Sequence, residues 1–119
     1  MKKILIIEDE SDVAESVKML LEMNGYKADY ALNPKEGIKK AKNYDLILLD
    51  IMMPVMSGRE VMAEFKKMRL NKPVIVVTAV GMPFEIEREF AAKYFPVRVL
   101  PKTSIHTDLI KEVKKALKE

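Results

Sequence analysis

Short runs of consecutive apolar residues alternate along the chain with longer segments in which apolar residues recur every three or four positions. The runs predict buried strands, and the periodic segments predict amphipathic helices. The alternation occurs five times without a glycine- or serine-rich linker, which predicts an α/β fold with one (βα)5 domain over residues 1–119. We expect strands near residues 3–7, 27–31, 46–50, 74–78 and 97–100, and helices near residues 11–24, 34–42, 58–69, 84–94 and 105–118.

The strand sequences also predict an order for the sheet. The first, third and fourth strands are unbroken apolar runs, typical of strands covered on both faces, whereas the second and fifth contain Lys27, Asp29 and Arg98, typical of edges. With right-handed crossovers, the order 2-1-3-4-5 satisfies these constraints. This order is already known for doubly wound, flavodoxin-like parallel sheets, whose ligands bind at the carboxyl ends of the strands, at the switch point between strands one and three.

Residues with capping and turn preferences mark several helix ends. Asn33-Pro34 predicts the start of the second helix, and Ser57 followed by Glu60 predicts a capping box at the start of the third. Gly25 predicts the end of the first helix, where a left-handed residue is favoured. These signals agree with the boundaries drawn from the apolar pattern.

Polar residues follow three of the predicted buried strands without a break. Glu8 and Asp9 follow the first strand, Asp50 ends the third, and Thr78 ends the fourth. Because the carboxyl ends of parallel strands lie at one edge of a sheet, we expect these side chains to converge on one rim. An ionised carboxylate is costly to bury unless it is paired or bound to a metal, so the acids predict a site for a hard cation.

Mg2+ is the cation that this donor set favours. Asp9 and Asp50 supply carboxylate oxygens, Glu8 reaches the ion through water, and the backbone carbonyl of Met52 is expected to turn inward. A few protein ligands together with several waters is the usual coordination of Mg2+, and a substrate phosphate then completes the shell.

Three side chains at the same rim suit phosphoryl chemistry. The hydroxyl of Thr78 and the ammonium of Lys102, beyond the fifth strand, both suit phosphoryl oxygens. Asp50 is then the group left to react, as a carboxylate nucleophile that forms an aspartyl phosphate.

The composition excludes several classes of protein. Cysteine is absent, which excludes disulfides and thiolate metal sites and agrees with a cytoplasmic location. No apolar run approaches the length of a membrane span, and the first run is too short for a signal peptide. The net charge of +3 comes from lysines spread over several helices without interleaved aromatic residues, which argues against direct nucleic-acid binding. His106, the only histidine, has no partner at metal-ligand spacing, and we expect it to face solvent.

The motifs at these positions occur together in a known family. They are the acidic pair Glu8-Asp9, the segment 48–54 (LLDIMMP) with Gly58, the pair Thr78-Ala79, and Lys102. On these motifs the chain resembles, over essentially its whole length, the receiver domain of two-component response regulators.

The resemblance implies a role in signal transfer. Asp50 would accept a phosphoryl group from a sensor histidine kinase or a phosphotransfer protein. Lys102 would contact this group, and Thr78 would report its arrival by pulling the loop before the fourth helix inward. The implied Mg2+ ligands are Glu8, Asp9, Asp50 and the carbonyl of Met52. The signal would pass to an output protein that the sequence does not name, and the chain would be no enzyme beyond assisting its own phosphorylation and autodephosphorylation.

The same resemblance implies a docking surface and a lifetime for the phosphorylated state. The kinase would dock on the first helix, where Glu15 and Ser16 are exposed candidates, and on the loop after Lys102. Met52 and Val80 would flank the approach of water to the phosphorus. Both are apolar, so we expect slow autodephosphorylation.

The chain departs from the family pattern beyond the site. Thr103 follows Lys102 where the family has a proline, so we expect a trans peptide bond there. Val99 stands at the position of the family's switch aromatic. A pseudo-receiver, which uses the fold as an interaction module without phosphorylation, therefore stays open as an alternative.

A third class is an aspartate-nucleophile phosphatase or mutase of the haloacid-dehalogenase type. Those enzymes place Asp-x-Asp at the end of the first strand and carry a cap domain. Here Asp9 is followed by Glu10-Ser11-Asp12, and the chain has no length for a cap, which argues against this class.

Overall fold

The computed structural model describes residues 1–79 and 82–119. Over these residues the chain forms five parallel strands that alternate with five helices. In chain order the elements are β1 (Lys3–Ile7), α1 (Ser11–Met23), β2 (Lys27–Ala31), α2 (Pro34–Lys40), β3 (Leu46–Asp50), α3 (Gly58–Lys67), β4 (Val74–Thr78), α4 (Pro83–Lys93), β5 (Arg98–Pro101) and α5 (Ile105–Ala116). Short 3-10 turns at Ala41–Asn43 and Lys102–Ser104 follow α2 and precede α5. Within the described part of the chain, no helix combines the length and the apolar character needed to cross a membrane.

The sheet order is β2-β1-β3-β4-β5, which confirms the predicted flavodoxin-like topology and places β1 beside β3 at the switch point. Ile7 of β1 lies opposite Leu49 of β3, so the residues that follow them come side by side. Thr78 at the end of β4 lies opposite Pro101 of β5, which directly precedes Lys102. The register alone therefore brings the ends of four strands, with their polar residues, to one rim.

Helices cover both faces of the sheet through their apolar stripes. On one face α2, α3 and α4 enclose the fully buried Phe65 and Phe90, and on the other α1 and α5 bury Leu21 and Leu109. The strands β1, β3 and β4 are thus covered on both sides, which explains their unbroken apolar sequences. The charged residues of these three strands are Lys3 at the amino end of β1 and Asp50 at the carboxyl end of β3, where the site lies.

The loop after β3 is held to the sheet by a close approach of two backbones. The N–H of Gly58 donates to the carbonyl of Ile51 at 2.9 Å, and a Cβ atom on Gly58 would lie 2.6 Å from the Cα atom of Ile51. The hydroxyl of Ser57 accepts from the N–H of Glu60 at 3.3 Å, and the Glu60 carboxylate accepts from the N–H of Ser57 at 3.4 Å. The predicted capping box is therefore present, and it fixes the path of the chain just after Asp50.

Several element ends differ slightly from the predicted ones. The third and fifth helices end two residues earlier than expected, because Arg69 and Lys118 have left-handed φ angles of 54° and 60°. The second helix also ends two residues early, where the 3-10 turn begins. The fourth helix starts at Pro83, since proline suits the first helical position, and β5 starts at Arg98 rather than at residue 97. None of these differences moves a residue of the predicted site.

Candidate functional site

Three carboxylates converge at the carboxyl ends of β1 and β3. Glu8 and Asp9 directly follow β1, and Asp50 is the last residue of β3. One oxygen atom of each lies within 4.8 Å of those of the other two. Glu8 is 4% exposed and Asp50 is 3% exposed, while Asp9 is half-buried. The cluster therefore places two largely buried acids and a third, more accessible one around a common point.

The ammonium of Lys102 faces this acidic cluster. Its Nζ atom lies 3.4 Å from Oδ2 of Asp50 and 3.6 Å from Oε2 of Glu8. Lys102 begins the 3-10 turn that follows β5, and Thr78, which is 1% exposed, ends the neighbouring strand β4. A hydroxyl and an ammonium group thus stand at the same rim as the acids.

Burial and the charge of a neighbouring carboxylate perturb Glu8. Burial raises the pKa of Glu8 to about 7, and the charge of Asp50 and a hydrogen bond to it act in the same direction. The N–H of Glu10, which donates to Oε1 of Glu8 at 3.3 Å, and the charge of Lys102 act against this rise. Burial lowers the pKa of Lys102, but the charges of Asp50 and Glu8 outweigh it, so this pKa is raised. One lysine does not neutralise three acids, and the cluster is short of positive charge.

The donor set fits Mg2+. The three carboxylates offer oxygen atoms close enough to share one ion, and the shortage of positive charge favours a cation among them. Met52 lies beside the cluster, where its N–H donates to Oδ1 of Asp50 at 3.0 Å while its side chain is 59% exposed. The peptide backbone of the loop after β3 therefore runs along the edge of the acidic cluster.

A groove between α1 and the start of α5 opens beside Lys102. It has a volume of about 340 Å3, and Asp12, Ser16 and His106 are among the residues that line it. His106 is exposed, as expected from the sequence. Glu15 is exposed on the same helix and lines an adjoining cavity of about 420 Å3. The surface expected to receive a kinase is thus concave and adjacent to the site.

The backbone on either side of Lys102 has no unusual peptide bond. The described residues contain no cis peptide bond, so the bond between Lys102 and Thr103 is trans, as expected. Val99 is half-buried on β5, and its N–H donates to Oε1 of Glu87 on α4 at 3.3 Å. A polar contact therefore links β5 to α4 at the position where the family has an aromatic ring.

An ion pair that the sequence did not indicate joins α3 to α4. Arg59 donates from Nε to one carboxylate oxygen of Glu89 at 2.7 Å and from a terminal nitrogen to the other at 2.9 Å. Both residues line a cavity of about 240 Å3 that also reaches Met52 and Thr78. The only sequence signal was charge on two helices, which is typical of any solvated face. Val80, expected to flank the approach of water, lies outside the described residues.

The sequence matches the response regulator receiver domain family over residues 4–114. It is 34% identical over 119 residues to the transcriptional regulatory protein CpxR homolog of Haemophilus influenzae, a match that covers 99% of this chain and 51% of that relative. The chain spans about half the length, or less, of the curated relatives it matches.

Solved structures of response regulators share the fold. The response regulator TrrA of Thermotoga maritima, crystallised in complex with Mg2+-BeF, has a TM-score of 0.83 and 34% identity, with 98% of this chain and 100% of that chain covered. TrrA in complex with the histidine kinase ThkA has a TM-score of 0.84 and 35% identity, with 98% and 99% covered. Since the family match extends over nearly all of the sequence and the topology agrees, this chain belongs to the response regulator receiver domain family.

Proposed function

We propose that this chain is the phosphoacceptor of a two-component or phosphorelay system in the cytoplasm, and that Asp50 accepts a phosphoryl group from a sensor histidine kinase or a phosphotransfer protein. The observation that carries the proposal is the contact of 3.4 Å between Lys102 and Asp50 inside a cluster of three acids. A structural acid would be neutralised by its neighbours, whereas this cluster has a surplus of negative charge and one fixed cation. Such an arrangement favours a divalent cation and a phosphoryl group together.

The side chains divide the work of phosphoryl transfer. An Oδ atom of Asp50 forms the new bond to phosphorus while the bond from phosphorus to the donor's histidine nitrogen breaks, and that nitrogen keeps the electron pair and takes up a proton. Lys102 pairs with the phosphoryl oxygens as a point charge. Thr78 donates its hydroxyl to the same group and passes its arrival to the segment before α4.

The proposed Mg2+ ligands are Glu8, Asp9, Asp50 and the backbone carbonyl of Met52. When bound, Mg2+ supplies positive charge that offsets the charge of about −1.5 to −2 that a phosphoryl group adds. Because the pKa of Glu8 is raised to about 7, the cluster holds part of a proton near neutral pH. A divalent ion held by these carboxylates would compete with that proton.

The proposed partner surface is the groove between α1 and the start of α5. The groove lies beside Lys102 and is concave, so an element of the kinase seated in it would bring a phosphohistidine close to Asp50. The related TrrA has been crystallised with the histidine kinase ThkA. After transfer, an output protein responds to the phosphorylated form, and the chain acts only on itself, in phosphorylation and autodephosphorylation.

Labelling by acetyl phosphate, followed on Phos-tag gels, tests the proposal. We expect labelling of the parent that requires Mg2+, no labelling of Asp50→Asn, and normal labelling of Asp108→Asn. The last variant is a matched control that removes a partly exposed carboxylate on α5. Labelling of Asp50→Asn at the parent level would contradict the assignment.

Two other outcomes would favour the alternatives. A parent that neither acetyl phosphate nor a kinase can label would favour the pseudo-receiver. Steady turnover of aryl phosphates would favour the phosphatase class, and we expect none.

A further inference from the structure

Polar contacts tie α4 to α3 and β5 at three points. On the side of α3, Arg59 donates to both carboxylate oxygens of Glu89. On the side of β5, the N–H of Val99 donates to the carboxylate of Glu87. At the end of the helix, Lys66 donates from Nζ to the carbonyl of its last residue at 2.9 Å. These contacts hold the helix at separate points along its length.

The contact between Arg59 and Glu89 is the most geometrically demanding of these. It is bidentate, at 2.7 and 2.9 Å, and the guanidinium also lies 5.7 Å from the ring centroid of Phe90, a fully buried residue of α4. The hydrogen bond raises the pKa of Arg59 and lowers that of Glu89, so both groups are charged at neutral pH. A bidentate pair packed on a ring tolerates little displacement of one helix against the other.

The pair also lies where a change at the phosphorylation site would reach α4. The cavity of about 240 Å3 has Met52 and Thr78 on the side of the site and Glu85 and Glu89 on the side of α4, and Arg59 is the one cation among the described residues that line it. Any movement of α4 toward or away from Thr78 changes the shape of this cavity. Such a movement also changes the geometry of the ion pair, because Arg59 lies on α3 and Glu89 on α4.

We propose that the Arg59–Glu89 pair acts as a clamp that holds α4 in the position seen here and thereby opposes phosphorylation of Asp50. This inference rests on the proposed function, because it requires Thr78 to shift toward the phosphoryl group. Thr78 precedes the first residue of α4 by only a few positions, so the shift is passed to the start of the helix. For α4 to follow, the pair has to break, and its loss then adds to the free energy of the phosphorylated state. Arg59 and Glu89 are thus positioning residues that act through α4.

A pair of double variants tests the clamp at constant net charge. Arg59→Gln with Glu89→Gln removes it, whereas Arg98→Gln with Glu112→Gln removes a second bidentate pair, at 3.0 and 3.1 Å, at the amino end of β5, remote from Asp50. Both carboxylates are largely shielded and both guanidinium groups are about half exposed, so the two variants should lose similar stability.

The measured quantity is the apparent affinity for beryllofluoride, a phosphoryl mimic, in the presence of Mg2+. We expect it to rise about two- to fivefold when the clamp is removed, which is the range a partly exposed ion pair supports, and to stay unchanged in the Arg98 and Glu112 variant. The exchange of charges in Arg59→Glu with Glu89→Arg should return the affinity toward the parent value. The proposal is overturned if the variant without the clamp binds beryllofluoride no more tightly than the parent. It is also overturned if the affinity of the control variant rises by the same factor.

A second measurement separates failure of the clamp from failure of the proposed function. A parent that does not bind beryllofluoride contradicts the proposed function itself. Amide hydrogen exchange then still decides on the clamp, because α4 should exchange faster after removal of the Arg59–Glu89 pair than after removal of the Arg98–Glu112 pair. Equal exchange in the two double variants overturns the clamp.

Discussion

The free energy of unfolding of the Mg2+-free protein should fall as the pH rises from about 5 to about 8, and Glu8→Gln should remove most of this fall. Burial beside Asp50 raises the pKa of Glu8 from 4.5 to about 7. Between these two values the folded chain keeps a proton that the unfolded chain releases. A group with a raised pKa stabilises the fold fully below its unfolded pKa, and this contribution is lost as the pH rises through the folded pKa.

The size of the effect follows from the difference between the two pKa values. They differ by about 2.5 pH units, and each unit corresponds to roughly 1.4 kcal/mol, which gives an upper value of about 3 to 4 kcal/mol. Partial access of solvent reduces it, so we expect about 2 kcal/mol. In a domain of this length that corresponds to about 8 °C in the unfolding midpoint.

Urea unfolding of the parent and of Glu8→Gln at the two pH values, without divalent cations, measures the effect. The two proteins should have similar stability at the lower pH, where Glu8 is protonated in the fold. At the higher pH the variant should be the more stable. Glu22→Gln, which removes an exposed carboxylate on α1, should follow the parent at both values.

Added Mg2+ should raise the stability of the parent at the higher pH and have a smaller effect on Glu8→Gln. The apparent affinity of the parent for Mg2+ should decrease below pH 7, because the ion then has to displace a proton from Glu8. A parent that is equally stable at both pH values, or one that gains stability with pH relative to Glu8→Gln, would refute the reasoning.

Three further variants address the loop, the docking surface and the lifetime of the phosphorylated state. Gly58→Ala places a Cβ atom 2.6 Å from the backbone of the loop after β3, so urea unfolding should show a loss of about 1–3 kcal/mol, and an unchanged midpoint would contradict the close approach. Glu15→Lys with Ser16→Tyr should slow phosphoryl transfer from a kinase while labelling by acetyl phosphate stays normal, and equal slowing of both routes would mean that the docking surface lies elsewhere. The aspartyl phosphate should decay slowly after the donor is removed, and Met52→Asn with Val80→Glu should speed this decay by giving the attacking water polar partners. If the parent decays fast and the two substitutions leave the rate unchanged, other residues control the access of water.

The fold was predictable because the burial of each strand determines which of its positions are apolar. Strands covered on both faces have no room for polar residues between their ends, so β1, β3 and β4 are apolar except at a terminal residue, and the edge strands are marked by residues such as Asp29 and Arg98. The rim followed from the same rule, since a parallel sheet gathers all carboxyl ends on one side. Helix ends were less predictable, because the side chains of Arg69 and Lys118 do not dictate the left-handed backbone conformation that these residues adopt.

Contacts between separate elements account for what the sequence did not indicate. The sequence placed Lys102 at the rim, but its distances of 3.4 Å to Asp50 and 3.6 Å to Glu8 depend on the turn after β5, where the chain departs from the family pattern. The pair of Arg59 and Glu89 joins residues 30 positions apart on different helices. Side chains on solvent-facing helices look alike in sequence whether or not they meet a partner, so only the packing of α3 against α4 identifies this pair.

The hydrogen bond between the N–H of Val99 and the carboxylate of Glu87 also limits how another chain could pair with the edge of the sheet. β5 is an edge strand of four residues, and an unpaired edge is a template on which another chain can add a strand. Here Glu87 occupies one backbone donor of that template, and Pro101 has no N–H to offer. Loss of the Glu87 carboxylate would first become visible as concentration-dependent, β-rich aggregates in a protein whose unfolding midpoint had hardly changed.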